Sequence, residues 1–96
     1  MGLLALFRRD KTDPEVARRA RLLATGRIAD GTVSDVDTDE SGQITHVFYH
    51  YEISGVEYES SQSLDDSQRQ RAIDYAPGAA VTVRYDPRQP ANSVVV

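Results

Sequence analysis

ITHVFYHYEISGVEY, residues 44–58, decides how the rest of the chain is read. From Ile44 to Ile53 the side chains alternate with a period of two: Val47, Tyr49, Tyr51 and Ile53 fall on one face, and His46, Phe48, His50 and Glu52 on the other. Aromatic and β-branched residues in strict alternation specify a half-buried strand. Ser54-Gly55 is a two-residue hairpin loop, and it returns the chain so that Ile53 opposes Val56, Tyr51 opposes Tyr58 and Tyr49 opposes Ser60. A Tyr51–Tyr58 cross-strand pair contributes about 0.2–1 kcal/mol.

Outward from this hairpin the same period recurs. Ile28 to Asp37 is a first strand, with a bulge placed at Gly31 because Val33 and Val36 have opposite parity. Asp39-Glu40-Ser41-Gly42 is a turn. Asp65 to Tyr75 is polar and reads as a short helix or irregular crossover, which Pro77-Gly78 stops. Val81, Val83 and Tyr85 mark a fourth strand, Asp86-Pro87 a turn, and Ser93 to Val96 a terminal strand. The expected fold is mainly β: a small five-stranded antiparallel barrel or sandwich, with an N-terminal helix and a short helix or irregular crossover before the fourth strand.

Before Gly26 the period changes to that of a helix. Thr12 as N-cap with Glu15 three residues on makes a capping box, and Pro14 suits the first turn, where its missing N–H costs nothing. Val16, Ala20 and Leu23 form a stripe at i, i+4 and i+7, with Arg18, Arg19 and Arg21 mostly away from it, and Gly26 ends the helix. The chain divides into an apolar and basic arm (1–11), a helix (12–26) and a β-domain (27–96).

The net charge of −4 conceals a split. Residues 1–27 carry seven basic residues against three acidic ones, and residues 28–96 carry four against twelve. An acidic β-domain is a poor nucleic-acid binder, and tyrosines in it read as core rather than as a base-stacking platform. With 96 residues and no cysteine the chain holds one compact core and neither disulfides nor thiolate metal sites.

Met1 to Phe7 is apolar and is followed at once by Arg8 and Arg9. As a helix, six such residues rise about 9 Å, against a hydrocarbon core of about 30 Å, so the segment cannot span a membrane. Its charges follow the apolar run, the reverse of a signal peptide, and Leu6 stands where myristoylation needs Ser or Thr. It can serve as a toe-hold: Leu3, Leu4, Leu6 and Phe7 enter an interface while Arg8, Arg9 and Lys11 meet anionic headgroups.

Three sequence features resemble the bacterial domain-of-unknown-function family 3592. They are Gly31-x-Val33, the run Val47-x-Tyr49-x-Tyr51-x-Ile53-x-Gly55-x-x-Tyr58, and the ending Gly78-x-x-Val81-x-Val83-x-Tyr85-Asp86-Pro87-x-x-Pro90-x-x-Ser93. The likeness covers roughly residues 27–96 and implies a small β-domain with no enzymatic activity attached, in a family whose members often carry transmembrane helices. The present sequence departs from that layout, since it has no spanning stretch. The ending also has a reading from turn chemistry: Asp86 accepts backbone N–H groups, Pro87 and Pro90 fix φ and block strand continuation, and Tyr85 is a core or rim residue.

The chemistry-bearing constellations are few. Asp35-x-Asp37-x-Asp39 begins like a calcium loop, but Glu40 and His46 occupy the positions that need Gly and Glu, so an acidic hairpin tip is the simpler reading. His46 and His50 have a spacing that suits one zinc ion on a helix. On a strand, four residues span about 13 Å and the pair cannot share an ion. The chain has no nucleophile elbow, P-loop, dinucleotide fingerprint or His-Glu-x-x-His, so neither a catalytic set nor a cofactor is expected.

Phe48 shares its outward face with His46 and His50. The helix stripe Val16/Ala20/Leu23 is expected to cover it, since an apolar stripe must be buried somewhere. The competing reading is a binding or dimer surface. The functional expectation is a non-enzymatic module that binds a protein partner or self-associates. A peripheral adaptor held to a membrane surface by the arm is the alternative, and the expected location is the cytoplasm, within reach of the membrane's inner face.

Overall fold

The computed structural model describes residues 13–96. Its elements are α1 (Pro14–Thr25), β1 (Arg27–Thr38), β2 (Ile44–Ile53), β3 (Val56–Ser63), α2 (Asp66–Arg69), a 3₁₀ turn (Ala72–Tyr75), β4 (Ala80–Asp86) and β5 (Gln89–Val95). The five strands form one antiparallel sheet in the order β3-β2-β1-β4-β5, and the sheet curls until its two edges, β3 and β5, approach each other in a nearly closed barrel. β1 is central because α2 and the 3₁₀ turn carry the chain across to its free side, where β4 pairs with it.

The β2–β3 hairpin has the register read from its alternation: Ile53 opposes Val56, Tyr51 opposes Tyr58 and Tyr49 opposes Ser60. Its loop needs positive φ at both residues, supplied by Ser54 (53°) and Gly55 (82°), which is the geometry that matches the twist of a two-residue hairpin. Tyr49, Tyr51 and Tyr58 stack down the inner face with ring centroids 5.9 and 5.6 Å apart. Val47, Tyr49, Tyr51, Leu64, Tyr75, Val83, Tyr85 and Val95 complete the core. Tyr49 is fully buried, and its hydroxyl shares a hydrogen bond of 2.7 Å with Ser93.

Two expectations, one about β1 and one about β5, are corrected. The bulge lies at Ser34, between the Val33–Tyr49 and Asp35–Phe48 pairs, and not at Gly31. Gly31 is required for closeness instead: a Cβ there would stand 2.7 Å from Val83 Cγ2 and 3.1 Å from the His50 carbonyl. β5 begins at Gln89, so Pro90 lies inside a strand that it was expected to block. An edge strand tolerates proline because its outer N–H has no ladder partner to lose, and the Pro90 carbonyl accepts the Tyr51 hydroxyl. Asp86 does cap its turn, accepting the Arg88 N–H at 2.9 Å.

The barrel seam is closed by side chains. Gln62 of β3 holds both polar groups of Val95: its Oε1 accepts the Val95 N–H at 2.8 Å, and its Nε2 donates to the Val95 carbonyl at 3.2 Å. Gln68 donates to the same carbonyl at 2.9 Å. Both glutamines are buried. Gln68 is fixed by a capping box with Asp65, which satisfies the backbone N–H groups at the start of α2.

Helix α1 lies over β4 and β5 next to this seam. Its N-cap is Asp13, whose side chain accepts the Glu15 N–H, and not Thr12, which lies outside the described residues. Gly26 ends it in extended conformation, its N–H bonded to the Leu22 carbonyl. The docking face is not the apolar stripe. Glu15, Arg18, Arg19 and Leu22, at i, i+3, i+4 and i+7, turn inward instead. Glu15 receives both Arg18 (2.8 Å) and Arg19 (2.7 Å). Arg18 goes on to Asn92 Oδ1 and the Ser93 carbonyl on β5, while Arg19 reaches the Ser63 carbonyl on β3. The two guanidiniums thus tie the helix to both edges of the barrel. Leu22 is the only buried residue of α1, and Val16 (62% exposed) and Leu23 (46%) face solvent.

Candidate functional site

Because α1 sits on β4 and β5, it cannot cover Phe48, and the expected lid is absent from that face. Phe48 stands at the middle of β2 with 37% of its surface exposed. Alternation places it outward, and the Ser34 bulge keeps Asp35 beside it: Phe48 pairs with Asp35 on β1 and with Ser61 on β3. The Ser34 hydroxyl donates to the Phe48 carbonyl at 3.1 Å and holds the bulge in place.

Carboxylates surround the ring. His46 pairs with Asp37, His50 with Glu59, and Glu52 with Glu57 across the outer face of the three strands β1, β2 and β3. Asp35, Asp37, Glu52, Glu57 and Glu59 are all exposed, as is His46, and His50 is half-buried. An aromatic side chain at the centre of an open, acid-rimmed sheet face is suited to an apolar contact within a basic border.

The other constellations resolve into structure. Asp39 accepts the Ser41 N–H, the Ser41 hydroxyl and the Gln43 N–H, and these bonds hold its carboxyl below the ordinary aspartate range. Asp35 accepts the Val36 N–H. Among the described residues no three His, Asp or Glu side chains are grouped to hold a metal ion. Leu3, Leu4, Leu6, Phe7, Arg8, Arg9 and Lys11 lie outside the described residues, and among the described ones no helix is long and apolar enough to cross a membrane.

Gly55, Tyr85, Asp86, Pro87 and Pro90 shape the hairpin and the β4–β5 corner. Sequence reasoning missed the docking role of Arg18 and Arg19. The signal was present as Glu15, three residues before one arginine and four before the other. It was masked by the more conspicuous apolar stripe on the opposite side.

Residues 24–96 match the family model described as Domain of unknown function (DUF3592). No curated protein and no solved structure matches the chain. The matched stretch contains the whole barrel and excludes nearly all of α1.

Proposed function

The chain belongs to the DUF3592 family, and on that footing we propose that it is a non-enzymatic interaction module that binds a protein partner through the Phe48 face. The observation that carries this reading is the uncovered Phe48 ring, standing between Asp35 and Ser61 while the chain's own helix is occupied elsewhere. The acid rim selects the partner's chemistry: an apolar knob flanked by lysine or arginine. Two copies meeting through this face would bring like charges together, which favours a different protein over self-association.

A binding screen against immobilised peptides tests it, with apolar centres and either basic or acidic flanks. Basic-flanked ligands are expected to bind, and Phe48→Ser is expected to weaken them at least tenfold, since exposed aromatics at interface centres are typical hot spots. Binding that is indifferent to Phe48→Ser would contradict the proposal. A dimer in sedimentation that dissociates on Phe48→Ser would replace the foreign partner with a second copy.

One observation favours a second reading, the peripheral membrane adaptor. Val16, Ala20 and Leu23 are exposed on the helix that follows the apolar and basic stretch in the sequence, and they add apolar surface to what that stretch offers a membrane interface. Flotation with anionic vesicles tests it. Deleting residues 1–9 together with Val16→Asp and Leu23→Asp is expected to abolish flotation, and unchanged flotation sinks this reading.

A further inference from the structure

Away from the Phe48 face, a cavity of about 250 Å³ opens where the C-terminal half of α1 meets the β4–β5 corner. Arg18, Arg21 and Thr25 wall it from the helix, and Asp86, Arg88 and Asn92 from the corner. Residues 28–96 hold three acids for every base, yet this cavity has three guanidiniums against one carboxylate. Even with Arg18 paired to Glu15 and Arg88 beside Asp86, the lining keeps a net positive charge next to the acidic β-domain.

The three arginines differ in what they have left to offer. Arg18 is spent on Glu15, Asn92 and Ser93 and acts as a fixed wall. Arg21 has no carboxylate partner among the described residues. Arg88 lies 3.8 Å from Asp86 with its side chain 91% exposed, an ion pair so open to solvent that it holds the guanidinium only weakly. Asn92 gives its Oδ1 to Arg18, which leaves its Nδ2 hydrogens as donors.

The C-terminus of α1 points its negative end toward this region and would oppose an anion on its own. Arg84 offsets it by donating to the Gly26 carbonyl at 2.9 Å. Two unspent guanidinium forks and an amide donor around a polar cavity match the several oxygens of a phosphate group, which accepts paired N–H donors in a plane.

We propose that this cavity is a phosphate-group site, in which Arg21 and Arg88 clamp the anion and Asn92 orients it. The group can come from a soluble phosphate or from a phospholipid headgroup, since both present the same oxygens. The family-matched barrel supplies Arg88 and Asn92, while Arg21 comes from the helix outside the matched stretch. The site therefore joins the matched barrel to a helix that lies outside the match.

The test uses the isotope-labelled full chain and its Arg21→Ala/Arg88→Ala double variant. Among the described residues the Arg21 side chain makes no bond and Arg88 only the exposed pair with Asp86, and an unchanged amide spectrum away from the cavity verifies that the variant is folded. Inorganic phosphate is titrated against sodium chloride of equal ionic strength, and sedimentation with phosphatidic acid vesicles is compared with neutral phosphatidylcholine vesicles. Saturable shifts at Arg21, Thr25, Arg88 and Asn92 in phosphate and not in chloride, weakened at least tenfold in the double variant, support the site and a soluble ligand. A fivefold or greater loss of phosphatidic acid binding in the double variant supports the site with a headgroup as its source. Shifts reproduced by chloride or unaltered in the double variant overturn the proposal, as does the lack of any saturable shift, when vesicle binding is also indifferent to the two arginines.

Discussion

The two sides of β3 teach different things about how this chain encodes its fold. On one side β3 pairs with β2 through backbone hydrogen bonds along an eight-pair register from Ile53–Val56 to His46–Ser63. On the other it faces β5, and the described hydrogen bonds across that gap come from Gln62, with Gln68 and Arg19 reinforcing it from the two helices. A backbone ladder repeats every two residues and leaves a period in the sequence. A side-chain clamp is a few polar residues far apart in the chain, and leaves none.

The comparison is most exposed at Gln62. Gln62→Leu leaves the Val95 N–H buried without a partner and removes one of two donors from its carbonyl. It is expected to cost about 2–3 kcal/mol, read as a lower urea midpoint with the slope retained. A loss below the noise would mean that the seam closes without its clamp. Tyr49→Phe is next: it deletes one buried hydrogen bond and leaves the Ser93 hydroxyl unpaired, with an expected cost of about 1–2 kcal/mol in the same measurement.

Glu15 sharpens the comparison through pH. The hydrogen bond from Arg18, joined by that from Arg19, lowers its pKa from 4.5 to about 2 against the opposing effect of burial. A depressed carboxylate pKa stabilises the folded state above the unfolded value, so this contribution is present above about pH 4.5 and is lost as pH falls toward 2. With 45% of the Glu15 side chain exposed, solvent screening reduces its worth to about 1 kcal/mol. Unfolding midpoints should therefore fall across that window in the native chain and fall less in Glu15→Gln. Parallel pH profiles would show that the helix is not anchored through Glu15.

The smallest effect on stability is expected at the open face. Phe48 is 37% exposed, so Phe48→Ser gives up the packed part of the ring and should cost about 0.5–1 kcal/mol. A variant that stays folded at that cost separates binding from folding.

The same contrast explains what could be read from the chain in advance. The hairpin register, the outward Phe48 and the Asp86 turn each follow from local alternation or turn chemistry over a few residues. The Pro90 strand was missed because its reading as a breaker holds for inner strands, and its edge position is a property of the whole sheet. The Gly31 bulge was misplaced by three residues because parity shows that an extra residue exists without showing which one it is. The helix face was misread because apolar periodicity normally marks the buried side. Here two arginines lie inward, their charge partly offset by the one carboxylate of Glu15 and several of their other donors met by strand carbonyls and Asn92. Of the two candidate sites, the Phe48 face was visible as an aromatic on the polar side of a strand. The arginine cavity was not, since it joins residues about 65 positions apart.

The central claim is that α1 lies on β4 and β5 through its Arg18, Arg19 and Leu22 face and leaves Phe48 open. Proton–proton Overhauser contacts in the full chain test it most directly. Contacts are expected from the Leu22 methyls to β4 and β5 and none from the Phe48 ring to Val16, Ala20 or Leu23; contacts between that ring and the helix stripe would overturn this arrangement.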